Sequence, residues 1–234
     1  MDEFIANGGY QYERTPDDGH GFIGWKSFVD DPAGKPLKSN SGKIEIYCQQ
    51  RYDLMASYGY PGVEQYKPYP TYVTPCVGYE STFKDGKIGG EKGDYPFIMY
   101  NPHYLRRSHS VFDNCPWLRE TWANPVFVSR EDAKAKGISD GDTVLISTPA
   151  GKGLRRAAVL DILLPGVVGV PHGAWVDVDE KTGIDRAGSD NYLIGAEYGG
   201  FGVSGYNNQI CNIEKYTGDA LEPDCEWPQR IVNA

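Results

Sequence analysis

No two of the five cysteines in this chain are spaced C-x-x-C, and their number is odd: Cys48, Cys76, Cys115, Cys211 and Cys225. A zinc site or an iron–sulfur cluster of the usual ligand spacing is thereby excluded. The thiols read as mostly unpaired core or loop residues, with one disulfide open to them in an oxidising compartment. Histidine is scarcer, at four. There is no H-E-x-x-H helix and no G-x-S-x-G elbow. A Cys115–His109 nucleophile pair lacks a third group to orient it, and His20 and His172 stand in unrelated segments. Positive charge is short as well. A formal net charge of −9 argues against a nucleic-acid binder. The longest apolar run, Ile162 to Val170, is broken by Pro165, Gly166 and Gly169 and is too short to span a bilayer. Met1-Asp2-Glu3-Phe4 has neither the basic region nor the apolar core of a signal peptide, so an export signal is expected outside these residues.

What the chain has in quantity is glycine, at 29 of 234 residues, and tyrosine, at 17. With 40% hydrophobic residues this is a globular composition, rich in turns and short strands. The text changes character near residue 95. Before it, Tyr52 to Tyr95 is dense in Tyr, Pro and Gly, with Tyr60-Pro61-Gly62, Lys67-Pro68-Tyr69-Pro70 and Thr74-Pro75. Repeated X-Pro steps favour extended backbone, so an extended arm is expected, preceded by one strand over Lys43 to Tyr47 after a Ser41-Gly42 turn. After it, the pattern is regular. Phe97 to Tyr100 reads as a buried strand, and Ser129 to Gly137 as a short helix with a capping serine and a left-handed glycine stop. Asp140-Gly141-Asp142 is a turn. Strands are expected over Thr143 to Thr148, Leu154 to Leu160, Val167 to Val170 and Gln209 to Ile213. Short strands with one small helix suggest a compact β-barrel.

One loop stands out chemically. Directly after the first barrel strand, Asn101 to Ser110 gathers two Arg, two His, two Ser and an Asn with no carboxylate among them, in a chain that is acidic overall. Guanidinium suits phosphate, while imidazole, hydroxyl and amide suit ring heteroatoms, so the loop points to a polar anionic ligand. His172-Gly173-Ala174-Trp175 follows a strand, and its small residues would let a flat ligand approach the backbone. Gly188-Ser189-Asp190-Asn191 and the glycine-rich Gly199 to Gly205 precede no convincing helix, so neither is a Walker or Rossmann fingerprint.

In this order the segments resemble the C-terminal region of the dimethyl sulfoxide reductase family. The matching stretches are Ser41-Gly42-Lys43-Ile44-Glu45, Arg106-Arg107-Ser108-His109-Ser110 with Asn114, Trp122-Ala123-Asn124-Pro125, and the run from Asp132 to Val144. Pro165-Gly166-Val167-Val168, Gly173-Ala174-Trp175, Gly188 with Asn191, and Ile213-Glu214-Lys215 complete them. The resemblance implies a mainly β fold: a double-psi β-barrel with one or two short helices and a long irregular N-terminal arm. It implies three parts: an arm over 1–96 from a neighbouring domain, the molybdopterin-dinucleotide-binding barrel over 97–216, and a tail over 217–234. It implies a bis-molybdopterin guanine dinucleotide cofactor whose molybdenum or tungsten is held elsewhere. The implied cofactor contacts are Asn101, His103, Arg106, Arg107, Ser108, His109, Ser110, Gly173, Trp175, Asn191, Asn207 and Asn208. No catalytic residue and no metal ligand is expected here, because the family's metal ligand and iron–sulfur motif lie in earlier domains. Tyr192-Leu193-Ile194-Gly195 departs from the Val-Leu-Thr of many relatives, and Gly199 to Gly205 looks like a local elaboration.

Three functions are compatible with the sequence. The first is the cofactor domain of a molybdenum oxidoreductase that transfers an oxygen atom or hydroxyl, exported to the periplasm or cell surface. Its partners would be the remaining domains of its own subunit and an iron–sulfur electron-transfer subunit, with no direct membrane insertion and no turnover by the isolated chain. The second is a free-standing barrel acting as a binding or assembly module. The third is an independent hydrolase or lyase, since fold alone does not fix function.

Overall fold

A computed structural model describes residues 1–9, 23–59, 63–75, 77–195 and 206–222. Gly199 to Gly205, Cys76 and Cys225 lie outside them. The chain divides into two compact units, residues 1–54 with 67–71, and residues 55–66 with 72–234.

In the first unit, α1 (Asp2–Asn7) and α2 (Lys26–Asp30) are short and carry no buried residue. The strand expected over 43–47 is not there. Its backbone is held instead by nearby side chains: Ser39 Oγ donates to the Lys43 carbonyl at 2.6 Å, and the Ser41 N–H donates to Glu45 Oε1 at 2.7 Å. A strand also needs a neighbour to complete its ladder, and Ile44 and Ile46 stay exposed. The start of the expected extended arm is likewise a helix, α3 (Gln49–Ser57). No proline interrupts the sequence from Gln49 to Tyr60, so nothing there forbids helical φ/ψ. Further on, within the second unit, 3₁₀ turns occupy Val63–Gln65, Tyr79–Thr82 and Lys84–Gly86.

The second unit carries the barrel. Its elements are β1 (Phe97–Tyr100), α4 (Pro116–Thr121), β2 (Pro125–Ser129), α5 (Arg130–Lys136), β3 (Thr143–Ser147), β4 (Lys152–Leu160), β5 (Val167–Gly169), β6 (Val178–Asp179), β7 (Ile184–Asp185) and β8 (Gln209–Lys215). Strands pair in the order β2-β5-β1-β8-β3-β4, and a β2–β4 pairing closes the ring; the β7–β6 hairpin hangs on β4. Of the six pairs around the ring, β1/β5 and β2/β4 are parallel and the other four antiparallel. This is the expected double-psi barrel. The two-residue period of each strand fills it: Phe97 and Met99, Val126 and Val128, Val144 and Ile146, and Cys211 and Ile213 all point into one core. Burial pushes the Cys211 thiol up, so it is an inert apolar filler.

Helix α5 ends as its sequence dictates. Ser129 Oγ accepts the Asp132 N–H at 3.0 Å, and Gly137 stops the helix at φ 65°. Two elements escape the sequence pattern. Pro116 opens α4 at its first turn. Pro125, in an Asn-Pro step whose chemistry favours a turn, instead begins β2.

Candidate functional site

The loop after β1 lies between two other connections: residues 171–175 after β5 and residues 187–192 after β7. Barrel closure brings them together, and Asp190 ties them. Its buried carboxylate accepts the Gly173 N–H at 2.8 Å on Oδ1, and on Oδ2 meets His172 Nδ1 at 2.8 Å and Asn101 Nδ2 at 3.4 Å. The other nitrogen of His172 lies 2.6 Å from His109 Nδ1. A carboxylate only accepts, so His172 Nδ1 is the donor to Asp190, and the His172 Nε2–His109 Nδ1 contact is bridged by a proton from one of the two rings. His103 completes the group, with its ring centroid 5.8 Å from His109 and 5.6 Å from His172. At the other side, Asn207 Oδ1 accepts the Asn101 N–H at 3.0 Å.

Backbone strain concentrates here. His109, Phe112 and Ala174 have φ of 55°, 71° and 100°, uncommon for side-chain-bearing residues. Gly173 has φ 94°, and a Cβ there would sit 1.6 Å from the His109 carbonyl oxygen. Only glycine lets the two strained turns touch.

Of the residues singled out from the sequence, Asn101, His103, His109, Gly173 and Asn207 meet in this cluster. Ser108 and Ser110 are exposed beside it. Asn191 is exposed on the 3₁₀ turn Asp190–Tyr192, and Asn208 is exposed where the chain enters β8. Arg106 and Arg107 are buried beneath the loop. Asp113, three residues past the carboxylate-free stretch, pairs with Arg107 Nη1 at 2.9 Å and with Arg106 Nη2 at 3.3 Å. Arg107 also donates to Asn124 Oδ1. Trp175 caps the same loop: its main-chain N–H donates to Asp113 Oδ2 at 2.9 Å and its indole N–H to the Ser110 carbonyl at 3.0 Å.

Sequence reasoning missed His172, Asp113, Asp185, Asp190 and Arg155. His172, distant in sequence from the other histidines, joins His103 and His109 in the structure. Its place next to Gly173 was the available signal. Behind the cluster, buried Asp185 accepts the N–H groups of Asp177 at 2.6 Å, Ala187 at 3.1 Å and Ser189 at 2.5 Å. An adjoining cavity shares Arg106 and Asp113 and is lined further by Arg119, Arg156, Arg186 and Asn124.

A flat, polar, anionic ligand fits this donor set. Imidazole and amide atoms line the cluster, glycine leaves room at its wall, and guanidiniums line the neighbouring cavity. Asn101 Oδ1 and Ser189 Oγ are buried with no hydrogen-bond partner among the described residues.

The family described as the molydopterin dinucleotide binding domain matches residues 97–202. Dimethyl sulfoxide reductase DmsA of Escherichia coli (strain K12) is 36% identical over 198 residues, covering 82% of this chain and 22% of that protein. Dimethyl sulfoxide/trimethylamine N-oxide reductase of Rhodobacter capsulatus is 31% identical over 231 residues, covering 94% and 26%. Acetylene hydratase from Pelobacter acetylenicus shares the fold, with a TM-score of 0.56 at 18% identity over 80% of this chain and 25% of that one. The chain spans about a quarter of the length of the curated relatives it matches. It belongs to the dimethyl sulfoxide reductase family, and residues 97–202 are its molybdopterin dinucleotide binding domain.

Proposed function

We propose that the chain is the C-terminal, cofactor-gripping part of a longer oxidoreductase that transfers an oxygen atom or hydroxyl at molybdenum or tungsten. The observation that carries this reading is the Asp190–His172–His109 chain beside the Asn101–Asn207 pair, a row of fixed polar atoms at one end of the barrel. The cofactor is molybdopterin guanine dinucleotide in its bis form. When bound, it supplies the redox chemistry, while the protein supplies binding, orientation and electrostatics.

His103, His109, Ser108, Ser110, Asn101 and Asn207 would hold the pterin through their polar atoms, with Asn191 and Asn208 beside them. Gly173 lets the ring system approach, and Trp175 holds the loop shape. Arg106 and Arg107 act from beneath, their charge offset by Asp113, and the arginine-lined cavity suits the phosphates. The barrel and its loops within 97–216 form the binding unit, with 1–96 and 217–234 as accessory segments. Leu105, Val111, Phe112 and Trp117, all on or next to this loop and more than half exposed, suit contact with the remaining domains of the same subunit. The reading includes an iron–sulfur electron-transfer subunit as partner and export of the whole protein; no helix among the described residues is long and apolar enough to cross a membrane.

In the longer protein, replacing His109 and Ser110 together by Ala should lower pterin and metal content several-fold at unchanged thermal stability. Unchanged content would return the loop to a solvated turn. The 234-residue chain alone, assayed with reduced viologen against sulfoxides, N-oxides and nitrate, should show no turnover above a buffer blank.

A further inference from the structure

We propose that Arg155, which touches no ligand position itself, is a positioning residue that sets the main-chain geometry of both site walls, at residues 171–173 and 188–190. The proposal rests on the reading that these walls face the cofactor.

Arg155 lies on β4 and is fully buried. Its guanidinium spends its donors on carbonyls from three separate segments. Nε donates to Gly188 at 2.9 Å, Nη1 to Pro125 at 3.1 Å, and Nη2 to Pro171 at 2.8 Å and Gly173 at 3.4 Å. Among the described residues no carboxylate lies within ion-pair distance of it. Burial pushes its pKa down to about 9, helped by the Arg107 charge and opposed by Asp190, Asp113 and Asp185, so it is still charged at neutral pH. A buried charge held only by main-chain oxygens is costly unless every oxygen is held in return.

The consequence is local and specific. The peptide joining Pro171 to His172 is fixed at its oxygen by Arg155 and at its N–H by the Pro102 carbonyl, 2.9 Å away. The next peptide is fixed at the Gly173 N–H by Asp190, and the one after at the Gly173 oxygen by Arg155. The peptide joining Gly188 to Ser189 is held at its oxygen by Arg155 and at its N–H by Asp185. His172 therefore stands between pinned peptide planes, which aim its ring at both Asp190 and His109. A planar five-donor fork can serve three segments at once; the compact ammonium of lysine cannot.

Hydrogen exchange of the 234-residue chain tests this without any cofactor. Three variants are compared: Arg155→Met, Arg155→Lys, and Val144→Ala as a barrel-core control brought to matched stability by temperature. In Arg155→Met the amides of His172, Gly173 and Ser189 should exchange at least about tenfold faster than in the control, while Ile146 and Ile213 match it. Arg155→Lys should restore part of the protection. If all these amides accelerate in parallel with the control, or none changes, Arg155 is only a packing residue and the proposal falls. Should Arg155→Met fail to fold, Arg155→Lys decides by the same criterion. A selective effect with unaltered pterin content in the longer protein would count against the site reading while supporting the role of Arg155.

Discussion

The barrel wall and the site wall of one domain are built on opposite principles. Along β3, β4 and β8 the backbone satisfies itself strand to strand, and the interior is apolar. At 171–192 the backbone leans on buried charge: Asp185 takes three N–H groups, Asp190 takes one with two side chains, and Arg155 serves four carbonyls. Positive φ at Gly173 and Ala174 belongs to this second region, and that at His109 and Phe112 to the loop packed against it. Apolar burial is shared among many side chains, so losses there come in increments. The site wall depends on a few polar groups, each of which holds several peptides, and a single loss there should be large.

The sharpest way to break this contrast is Asp185→Ala. It strands the N–H groups of Asp177, Ala187 and Ser189, and should cost about 3–5 kcal/mol in denaturant unfolding. A cost below that of an ordinary core truncation would sink the distinction. Next comes Gly173→Ala, where the added methyl meets the His109 carbonyl at a φ that disfavours it. It should cost roughly 1–3 kcal/mol and separate the two histidines, which the imidazole NMR resonances of His109 and His172 would report. On the barrel side, Ile146→Val removes one methylene from a fully buried side chain and should cost about 0.5–1.5 kcal/mol with the site resonances unmoved.

The same contrast governs what could be read from the sequence. Strand alternation is local, so Phe97/Met99 and Val144/Ile146 announced their strands, and Ser129 with Gly137 bounded α5 to the residue. Closure was not local. The β2–β4 pairing joins Val126 to Ala157, and Pro125 is a strand residue only through its distant partner Arg156. The donor-rich loop at 101–110 was legible as chemistry, but not the direction of its side chains. Arg106 and Arg107 turn inward because Asp113 is there to meet them. His172 and His109 are 63 residues apart and meet only once the barrel closes; Asp190 lay inside the Gly188–Asn191 motif with nothing to show that its carboxylate turns inward, and Arg155 had no motif to mark it.

The smallest expected effect sharpens the comparison from the barrel's outer edge. Asp142, in the turn before β3, accepts the Ser139 N–H at 2.7 Å and pairs with Lys215 at 2.9 Å. Both partners hold its carboxyl below the usual carboxylate range, Lys215 first. Asp142→Asn keeps an acceptor for Ser139 and removes only the ion pair. Because Lys215 is half exposed, the loss should be about 0.5 kcal/mol at neutral pH and low salt, and less at high salt. Its sign with pH follows from the lowered carboxyl. The folded state holds the charge more tightly than the unfolded chain does, so the benefit is fully present above the unfolded carboxylate value, near 4. It is lost as pH falls through the lower folded value. Denaturant midpoints of the two proteins should therefore converge on acidification. A gap that persists at low pH would mean that the turn, like the site wall, depends on the side chain's hydrogen bonds and not on its charge.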